Sequence, residues 1–192
     1  DENGNQSGTR KYINGFEYKN DDLQFISVPH GRILVSDSEK NPSTDTEYFI
    51  KDHLGNTVVV FGDKDNDGFI QEIDDEASNE VAQRNFYYSF GMRVDDPSYL
   101  YGSTKENDYL YNGKELEGDL GLDLHFYGAR WYDASIGRWN AVDPLAESTG
   151  EIYNYVWNNP IRLVDPDGMS GEDWVLRENG DIEWDDEVTS HE

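Results

Sequence analysis

The sequence predicts an all-β protein, and three observations support this fold class. Aromatic residues make up 14% of the 192-residue chain, and 13 of them are Tyr; this favours strands because aromatic side chains pack well on a pleated surface. Short aromatic and β-branched runs alternate with Gly, Asn and Asp turn signals at a spacing of about 8 to 12 residues. No amphipathic helical pattern extends beyond about two turns. We therefore expect many short strands in a sheet, a sandwich or a wrapped shell.

The predicted elements follow one another closely along the chain. The turn signals "KNDD" and "PHG" separate the first three strands, and "DHLGN" separates the fourth from the fifth, because Gly, Asn and Asp adopt turn conformations readily. The segment Glu76–Gln83 is the best helix candidate, although it also suits the entry to a strand. In "DWVLRENGDIEW", Asn179-Gly180 lies between two short β-like runs and predicts a hairpin. The predicted strands are Lys11–Tyr18, Leu23–Val28, Arg32–Ser36, Glu47–Lys51, Thr57–Phe61, Arg84–Phe90, Tyr109–Asn112, Leu122–Tyr127 and Arg130–Tyr132.

Composition argues against several classes of partner and site. The net charge of -26 repels phosphate backbones and anionic lipid, so we expect neither nucleic-acid binding nor binding to a membrane surface. The sequence has no apolar run near 18 residues, so we expect no membrane insertion. Cysteine is absent, which excludes disulfides, thiolate metal sites and Cys nucleophiles. The chain shows no signal-peptide pattern at Asp1 and begins in the middle of a pattern, so we expect it to be part of a longer protein.

Three stretches of the sequence are weakly similar to one another. "YFIKDHLGNT", "YLYNGKELEGDLGL" and "HFYGARWYDASIGRW" each place aromatic residues on a strand and then a polar turn with Gly. Units of this kind stack, and each buries its aromatic face against the next. This repetition favours a spiralled or solenoidal sheet over a closed sandwich.

The longest motifs resemble a known family. "YFIKDHLGNTVVVF", "YNGKELEGDLGLDLHFYGARWYDASIGRWNAVDPLAE" and "YNYVWNNPIRLVDPDGM" are similar to the core-associated region of Rhs/YD-repeat proteins, in the variant typical of Bacteroidetes polymorphic toxins. The resemblance covers roughly residues 11 to 169. It implies a spiralled sheet that forms part of a hollow β-shell, with an irregular core-associated region that closes one end.

The resemblance also implies a domain organisation and a set of partners. Residues 1–10 are a polar lead-in, 11–108 a YD/Rhs-like β region, 109–169 the Rhs repeat-associated core, and 170–192 the start or remnant of a variable toxin domain; the acidic composition changes near residue 169 as well. The implied partners are the protein's own upstream repeats, a C-terminal toxin cargo, an immunity protein and secretion machinery. The implied location is outside the bacterial cell or at its surface.

Two Asp-Pro steps form the first candidate site. Asp143 and Asp165 lie 22 residues apart, which leaves room for a strand out and a strand back. Two carboxylates that meet can share a proton, so that one acts as a base and the other as an acid. The resemblance implies an intramolecular aspartic protease, assisted by Arg130, that cuts after Gly168-Met169 and before Ser170.

Other interpretations of these residues remain open. Asp-Pro is common at turns, because the Asp side chain caps local amides and Pro fixes φ. The sequence has "DPLAE" at the first aspartate, where many relatives have a Gly-containing turn, and Met169 where many have Leu. Arg138 in "GRW" competes with Arg130 for the supporting role, and Arg130 also suits a structural ion pair.

A second candidate site is the acidic stretch "DKDNDGFIQEID". Asp63, Asp65 and Asp67 precede a Gly, the carbonyl of Phe69 follows, and Asp74 stands at the twelfth position. Alternating oxygen ligands around a Gly turn resemble a calcium loop, although the shorter Asp replaces the usual final Glu and flanking helices are missing. The alternative is a polar hairpin loop. No other cofactor is predicted.

Two further function classes stay open. The chain also suits a non-catalytic extracellular structural or adhesive β module, or a fragment stabilised mainly by calcium. His30, His53, His125 and His191 have no metal-ligand spacing, and His125 is expected in the core or its lining. Aromatic rows can form a carbohydrate platform, but inter-strand packing is the more common use.

Overall fold

The computed structural model describes residues 9–36, 43–72, 79–94, 106–118, 121–150, 152–169, 172–176 and 182–185. The predicted all-β class is confirmed, since the only α-helix in these ranges is the four-residue α1, Ala146–Thr149. The strands are β1 Arg10–Ile13, β2 Phe16–Lys19, β3 Asp22–Val28, β4 Gly31–Ser36, β5 Ser43–Lys51, β6 Thr57–Phe61, β7 Val81–Arg84, β8 Glu115–Glu117, β9 Leu124–Phe126, β10 Trp131–Asp133, β11 Arg138–Trp139, β12 Leu163–Val164, β13 Glu172–Leu176 and β14 Ile182–Asp185.

The chain divides into two compact units. The first comprises Asp1–Ile50, Val58–Arg84 and Asp96–Asn107, and the second comprises Lys51–Thr57, Asn85–Asp95 and Asp108–Glu192. Strands β1 to β7 form one sheet in chain order, β8 to β11 form a second in the order β11-β10-β9-β8, and β12 to β14 form a third. Within the described ranges, no helix is long and apolar enough to cross a membrane.

The interior of the first unit contains a buried ion pair. Arg32 on β4 is only 2% exposed, and its Nε donates to Oε2 of Glu47 on β5 at 2.7 Å. The guanidinium lies 5.4 Å from the ring centroid of Phe25. Close approach of the two strands requires Gly31, because an added Cβ would lie 1.9 Å from the carbonyl oxygen of Glu47. Pairing offsets much of the desolvation cost of these charges.

The second unit is built around an aromatic core. The rings of Tyr132 and Tyr155 are 4.4 Å apart, and Tyr127 meets Trp139 edge-on at 5.0 Å. The hydroxyls of Tyr127 and Tyr155 both donate to Oδ1 of Asn112, at 2.6 and 2.7 Å. The buried tyrosines thus keep their polar ends satisfied, as burial of a phenol requires. This core supports the segments that carry both Asp-Pro steps.

Two predicted strands are wrong, and both errors come from Gly turns. Residues 84–90 were expected to be one strand, but β7 ends at Arg84 and the following residues form an irregular loop that turns at Gly91, with φ +87°. The expected strand Tyr109–Asn112 instead leads into a 3-10 turn over Tyr111–Gly113. Asn112 there has φ +49°, a conformation that ends a strand.

Several boundaries also differ from the prediction. The single strand expected over Lys11–Tyr18 is a hairpin of β1 and β2, because Asn14 and Gly15 both have positive φ, as a tight two-residue hairpin turn requires. Of the two interpretations of Glu76–Gln83, the helix is wrong and the entry to a strand is confirmed where the segment is described, since Val81–Arg84 is strand. Residues 76–78 lie outside the described ranges. The C-terminal hairpin is confirmed, because β13 and β14 pair antiparallel.

Candidate functional site

The three residues predicted to catalyse the cleavage lie close together in the second unit. The Nη2 atom of Arg130 lies 3.4 Å from Oδ2 of Asp143 and 3.4 Å from Oδ2 of Asp165. The two carboxylate oxygens are therefore no farther apart than twice that distance. All three residues are buried, with exposures of 3%, 6% and 1% in the same order. The sequence expectation that both aspartates approach one arginine agrees with this geometry.

Two strands of the second sheet place Arg130. The residue directly precedes β10, and its carbonyl accepts a hydrogen bond from the Tyr127 amide at 3.2 Å, which closes the turn after β9. Its guanidinium carbon lies 4.3 Å from the ring centroid of Trp139 on β11. A cation over an aromatic face is attracted to it. The tryptophan therefore fixes the plane of the guanidinium between the two carboxylates.

Asp143 follows β11 at the first Asp-Pro step. Its amide donates to the carbonyl of Ile152 at 3.0 Å, so the chain on either side of α1 is held together at this point. Its Oδ1 accepts a hydrogen bond from the amide of Leu145 at 2.7 Å. This is the local capping role expected of Asp before Pro. The other oxygen, Oδ2, faces Arg130.

Asp165 follows β12 and organises the second Asp-Pro step. Its Oδ1 accepts hydrogen bonds from the amides of Asp167, Gly168 and Met169, at 3.3, 2.7 and 3.1 Å. Gly168 has φ +82°, and an added Cβ would lie 3.0 Å from the amide nitrogen of Arg130. The turn therefore requires glycine at this position for both conformation and space.

Three successive carbonyls of the same turn are each held by a donor. The Pro166 oxygen accepts Nζ of Lys114 at 2.5 Å, and the Asp167 oxygen accepts the amide of Ala129 at 2.9 Å. The Gly168 oxygen accepts Nε of Arg130 at 2.5 Å. We call residues 165–169 the DPDG turn. Its backbone is fixed on both its amide side and its carbonyl side, directly before the predicted cut.

The electrostatics of Asp165 differ from those of an exposed carboxylate. Burial raises the pKa of Asp165 to about 7, while the hydrogen bond from Gly168 and the charge of Arg130 lower it. Burial lowers the pKa of Arg130, and the charges of Asp143 and Asp165 oppose that shift. Oδ1 of Asp165 accepts three amides, and Oδ2 accepts Nη2 of Arg130 at 3.4 Å.

The competing arginine lies elsewhere in this unit. Nη1 of Arg138 donates to the side-chain oxygens of Asn154 and Asn158, the latter at 3.0 Å. Among the described residues, Arg130 is the one that the structure brings to both aspartates. Met169 lies at the end of the DPDG turn and is 36% exposed. Ser170, on the far side of the predicted cut, lies outside the described residues.

Lys114 belongs to this site and was not predicted from the sequence. It follows the 3-10 turn at Tyr111–Gly113, where its amide donates to the Tyr111 carbonyl at 2.9 Å. Its ammonium also lies 5.1 Å from the ring centroid of Tyr127. Burial lowers its pKa, and the charges of Asp165 and Asp167 raise it. The sequence signal for Lys114 was its place directly after the Asn112-Gly113 turn. Its partner, the Pro166 carbonyl, is 52 residues away and could not be predicted from spacing.

The acidic loop lies in the first unit and brings three predicted ligands together. One carboxylate oxygen from each of Asp63, Asp65 and Asp67 lies within 4.8 Å of the others. Oxygens around a calcium ion at about 2.3 to 2.6 Å have separations of this order, so the three residues fit such an ion. Phe69 is 72% exposed, and Asp74 lies outside the described residues.

Local hydrogen bonds shape this loop. The side chain of Asp63 accepts the amides of Asp67 and Gly68, at 3.1 and 3.0 Å. At its base, the two carboxylate oxygens of buried Glu80 accept the amides of Lys64 and Gln71, both at 2.8 Å. These bonds suit a polar turn as well as a cation loop, so the calcium site stays a prediction.

Comparison with known proteins supports the resemblance to Rhs-type toxin proteins. No family model matches the chain. The chain is 37% identical over 90 residues to toxin subunit YenC2 of Yersinia entomophaga, covering 46% of this chain and 9% of that protein. It is 30% identical over 96 residues to toxin subunit YenC1 of the same organism, covering 50% of this chain and 10% of that protein.

The fold has a counterpart among solved structures. The crystal structure of TcdB2-TccC3-TEV matches with a TM-score of 0.61 and 21% identity, covering 84% of this chain and 8% of that chain. At this identity the likeness shows the fold alone. The chain spans about a tenth of the length of the curated relatives it matches. It therefore has the all-β fold of one part of much larger toxin proteins.

Proposed function

We propose that the chain is the core-associated region of an Rhs-type toxin, which completes a β-shell around a C-terminal cargo and cuts its own backbone once, after Met169. The carrying observation is the buried contact of Arg130 with both Asp143 and Asp165, directly beside the immobilised DPDG turn. The likeness to toxin subunits supports the structural part of this proposal.

The chemistry follows from the different surroundings of the two carboxyl groups. Asp165, with its raised pKa, supplies the protonated carboxyl and donates from Oδ2 to the carbonyl oxygen of Met169. Asp143 takes a proton from a water molecule, whose oxygen then bonds to the Met169 carbonyl carbon. The C–N bond to Ser170 then breaks as its nitrogen takes the proton that Asp143 removed from the water, and Asp165 recovers its own proton as the new carboxyl group forms. The products are a carboxylic acid at Met169 and an amine at Ser170.

Arg130 has a further donor for this step. Its Nη1 is buried and, among the residues that the structure describes, has no hydrogen-bond partner. A buried donor without a partner is unfavourable, so a ligand that satisfies it gains affinity. The Met169 carbonyl oxygen, on which negative charge develops during attack, is a suitable acceptor.

The test is the intact mass of the purified chain beside Asp143→Asn and Asp165→Asn variants. We expect the wild type to give a fragment that ends at Met169, and both variants to remain whole, because each amide lacks the acid or base function. Circular dichroism of the variants controls for unfolding. A whole wild-type chain would contradict self-cleavage and favour the non-catalytic structural or adhesive module.

The remaining expectations about biological context belong to the same proposal. The partners would be the protein's own upstream repeats and its C-terminal toxin cargo, together with an immunity protein and secretion machinery. The protein would act outside the bacterial cell or at its surface, as the likeness to toxin subunits supports. No cofactor is required for the cut.

We also propose that the acidic loop binds calcium, because Asp63, Asp65 and Asp67 present clustered oxygens on a loop whose base is held by Glu80. A ligand that binds only the folded state raises its stability. We expect Ca²⁺ to raise the melting temperature by several degrees and Asp65→Asn to remove most of that rise.

The control for this test is set by the net charge of -26, since any salt screens self-repulsion. The comparison is therefore made at constant ionic strength, with Mg²⁺ as the second divalent cation. Equal melting temperatures with Ca²⁺ and with a chelator would leave the loop as a polar hairpin.

A further inference from the structure

We propose that Lys114 is a positioning residue for self-cleavage: it fixes the DPDG turn through the Pro166 carbonyl and so aims the Met169–Ser170 bond at the two aspartates. This inference rests on the proposed self-cleavage. It adds a residue that lies 29 positions before Asp143 in the sequence and comes from a different loop.

Lys114 holds one end of the DPDG turn. Three consecutive carbonyls of the turn have donors, and these donors come from two separate segments of the unit. Ala129 and Arg130 are neighbours and hold the distal two carbonyls, at Asp167 and Gly168. Lys114 is the donor to the proximal one, at Pro166. Without it the turn is held from one side, and can pivot about the Gly168 contact.

The charge of Lys114 also acts on the acidic residues of the site. The ammonium of Lys114 interacts with both Asp165 and Asp167 and lies over the ring of Tyr127. Partial burial makes an isolated ammonium unfavourable, so these partners hold it in place. Its positive charge in turn favours the ionised form of Asp165. Loss of the lysine would therefore change the titration of the acid as well as its geometry.

The experiment compares the rate of self-cleavage in wild type, Lys114→Met and Lys114→Arg after the chain is refolded from denaturant. A displacement of a reacting group by about 1 Å can cost on the order of a hundred-fold in rate, which sets the expected loss for Lys114→Met. Lys114→Arg keeps a charged donor, so we expect it to cleave at close to the wild-type rate. Lys51→Met is the matched control, because Lys51 is an exposed lysine whose Nζ lies beside Gly113 of the same loop.

A pH profile separates positioning from general stability. Because a nearby positive charge lowers the pKa of an acid, removing Lys114 should move the alkaline limb of the rate profile to higher pH. Lys114→Arg and Lys51→Met should leave that limb in place. A Lys114→Met chain that cuts at the wild-type rate with an unmoved limb would overturn the proposal.

Amide hydrogen exchange distinguishes failure of this inference from failure of self-cleavage. In a chain that stays whole, either Asp143→Asn or an uncut wild type, Lys114→Met should speed exchange at the Gly168 and Met169 amides while the β9–β10 amides remain protected. If wild type is uncut and exchange changes as expected, only self-cleavage fails. If exchange is unchanged, Lys114 does not hold the turn, whatever the rate of cutting.

Discussion

At the scale of single residues, His125 is buried in the second unit, as its place in an aromatic strand predicted. It is 3% exposed, and neither ring nitrogen has a hydrogen-bond partner within the described residues. Its ring lies 6.1 Å from that of Tyr111 and 6.5 Å from that of Tyr132. Burial, aided by the charge of Arg93, lowers its pKa to about 4. The folded protein therefore holds this imidazole neutral.

This burial predicts an acid-sensitive core. An unfolded histidine has a pKa of about 6.5, so between about pH 6.5 and 4 the unfolded chain binds the proton more readily than the folded one. Stability present above pH 6.5 is thus lost as the pH falls, by about 3 kcal/mol in total. We expect His125→Phe to remove this loss, measured as the free energy of unfolding in urea at pH 7 and pH 4.5.

The control must allow for Asp165, which acts in the opposite direction. Its raised pKa means that the folded chain binds the proton more readily below about pH 7, so its protonation stabilises the fold on acidification. The His125 effect is therefore the difference between variant and wild type, with His53→Gln as an exposed-histidine control. A difference that does not change with pH would contradict the prediction.

The residues of the candidate site show what the sequence could and could not predict. Asp143, Asp165 and Arg130 were found because they stand in long motifs that resemble a family. The contact of Lys114 with the Pro166 carbonyl depends on the path of a loop 52 residues away and has no local pattern. Likewise, His125 was expected in the core or its lining, but its lack of polar partners follows only from packing.

At the scale of elements, Asn-Gly turns end strands that the sequence pattern predicted to continue. The sequence contains Asn14-Gly15 and Asn112-Gly113, and all four residues have positive φ. The first pair lies inside the expected strand Lys11–Tyr18, and the second lies at the end of the expected strand Tyr109–Asn112. In both cases the aromatic neighbours favoured a strand. Asn-Gly is the strongest short signal for a tight turn, so both errors were avoidable from sequence. By contrast, β11 and β12 have two residues each, too few for any periodicity.

The turn at Gly91, in the loop after β7, provides a stability test. Gly91 has φ +87°, and an added Cβ would lie 2.4 Å from the ring of Tyr111. We expect Gly91→Ala to lower the free energy of unfolding by about 3 kcal/mol, from overpacking and from left-handed backbone strain together. Gly121→Ala is the control, because Gly121 has φ +66° and open space at its Cβ position. Urea unfolding curves measure both, and equal losses would mean that the Tyr111 contact is relieved at no cost.

At the scale of the whole molecule, composition predicted the fold class but not its division into two units. Tyr content and turn spacing indicate many short strands, because those are properties of local chain conformation. The second unit, however, assembles residues 51–57, 85–95 and 108–192 from three parts of the chain. Hydrogen bonds such as that from the Asn112 amide to the Asn56 side chain, at 2.7 Å, join these parts. Long-range pairing of this kind leaves no trace in periodicity.

The pairing of β12 with β13 has a consequence for what a cut at Met169 could achieve. Leu163 and Val164 pair with Asp173 and Glu172, so the backbone on either side of the predicted scissile bond belongs to one ladder. Hydrolysis would break one covalent bond and leave these hydrogen bonds in place. The product would be a nicked complex whose two chains separate in denaturant but migrate together under native conditions. Release of the downstream segment would then need a second event that breaks the hydrogen bonds between β12 and β13.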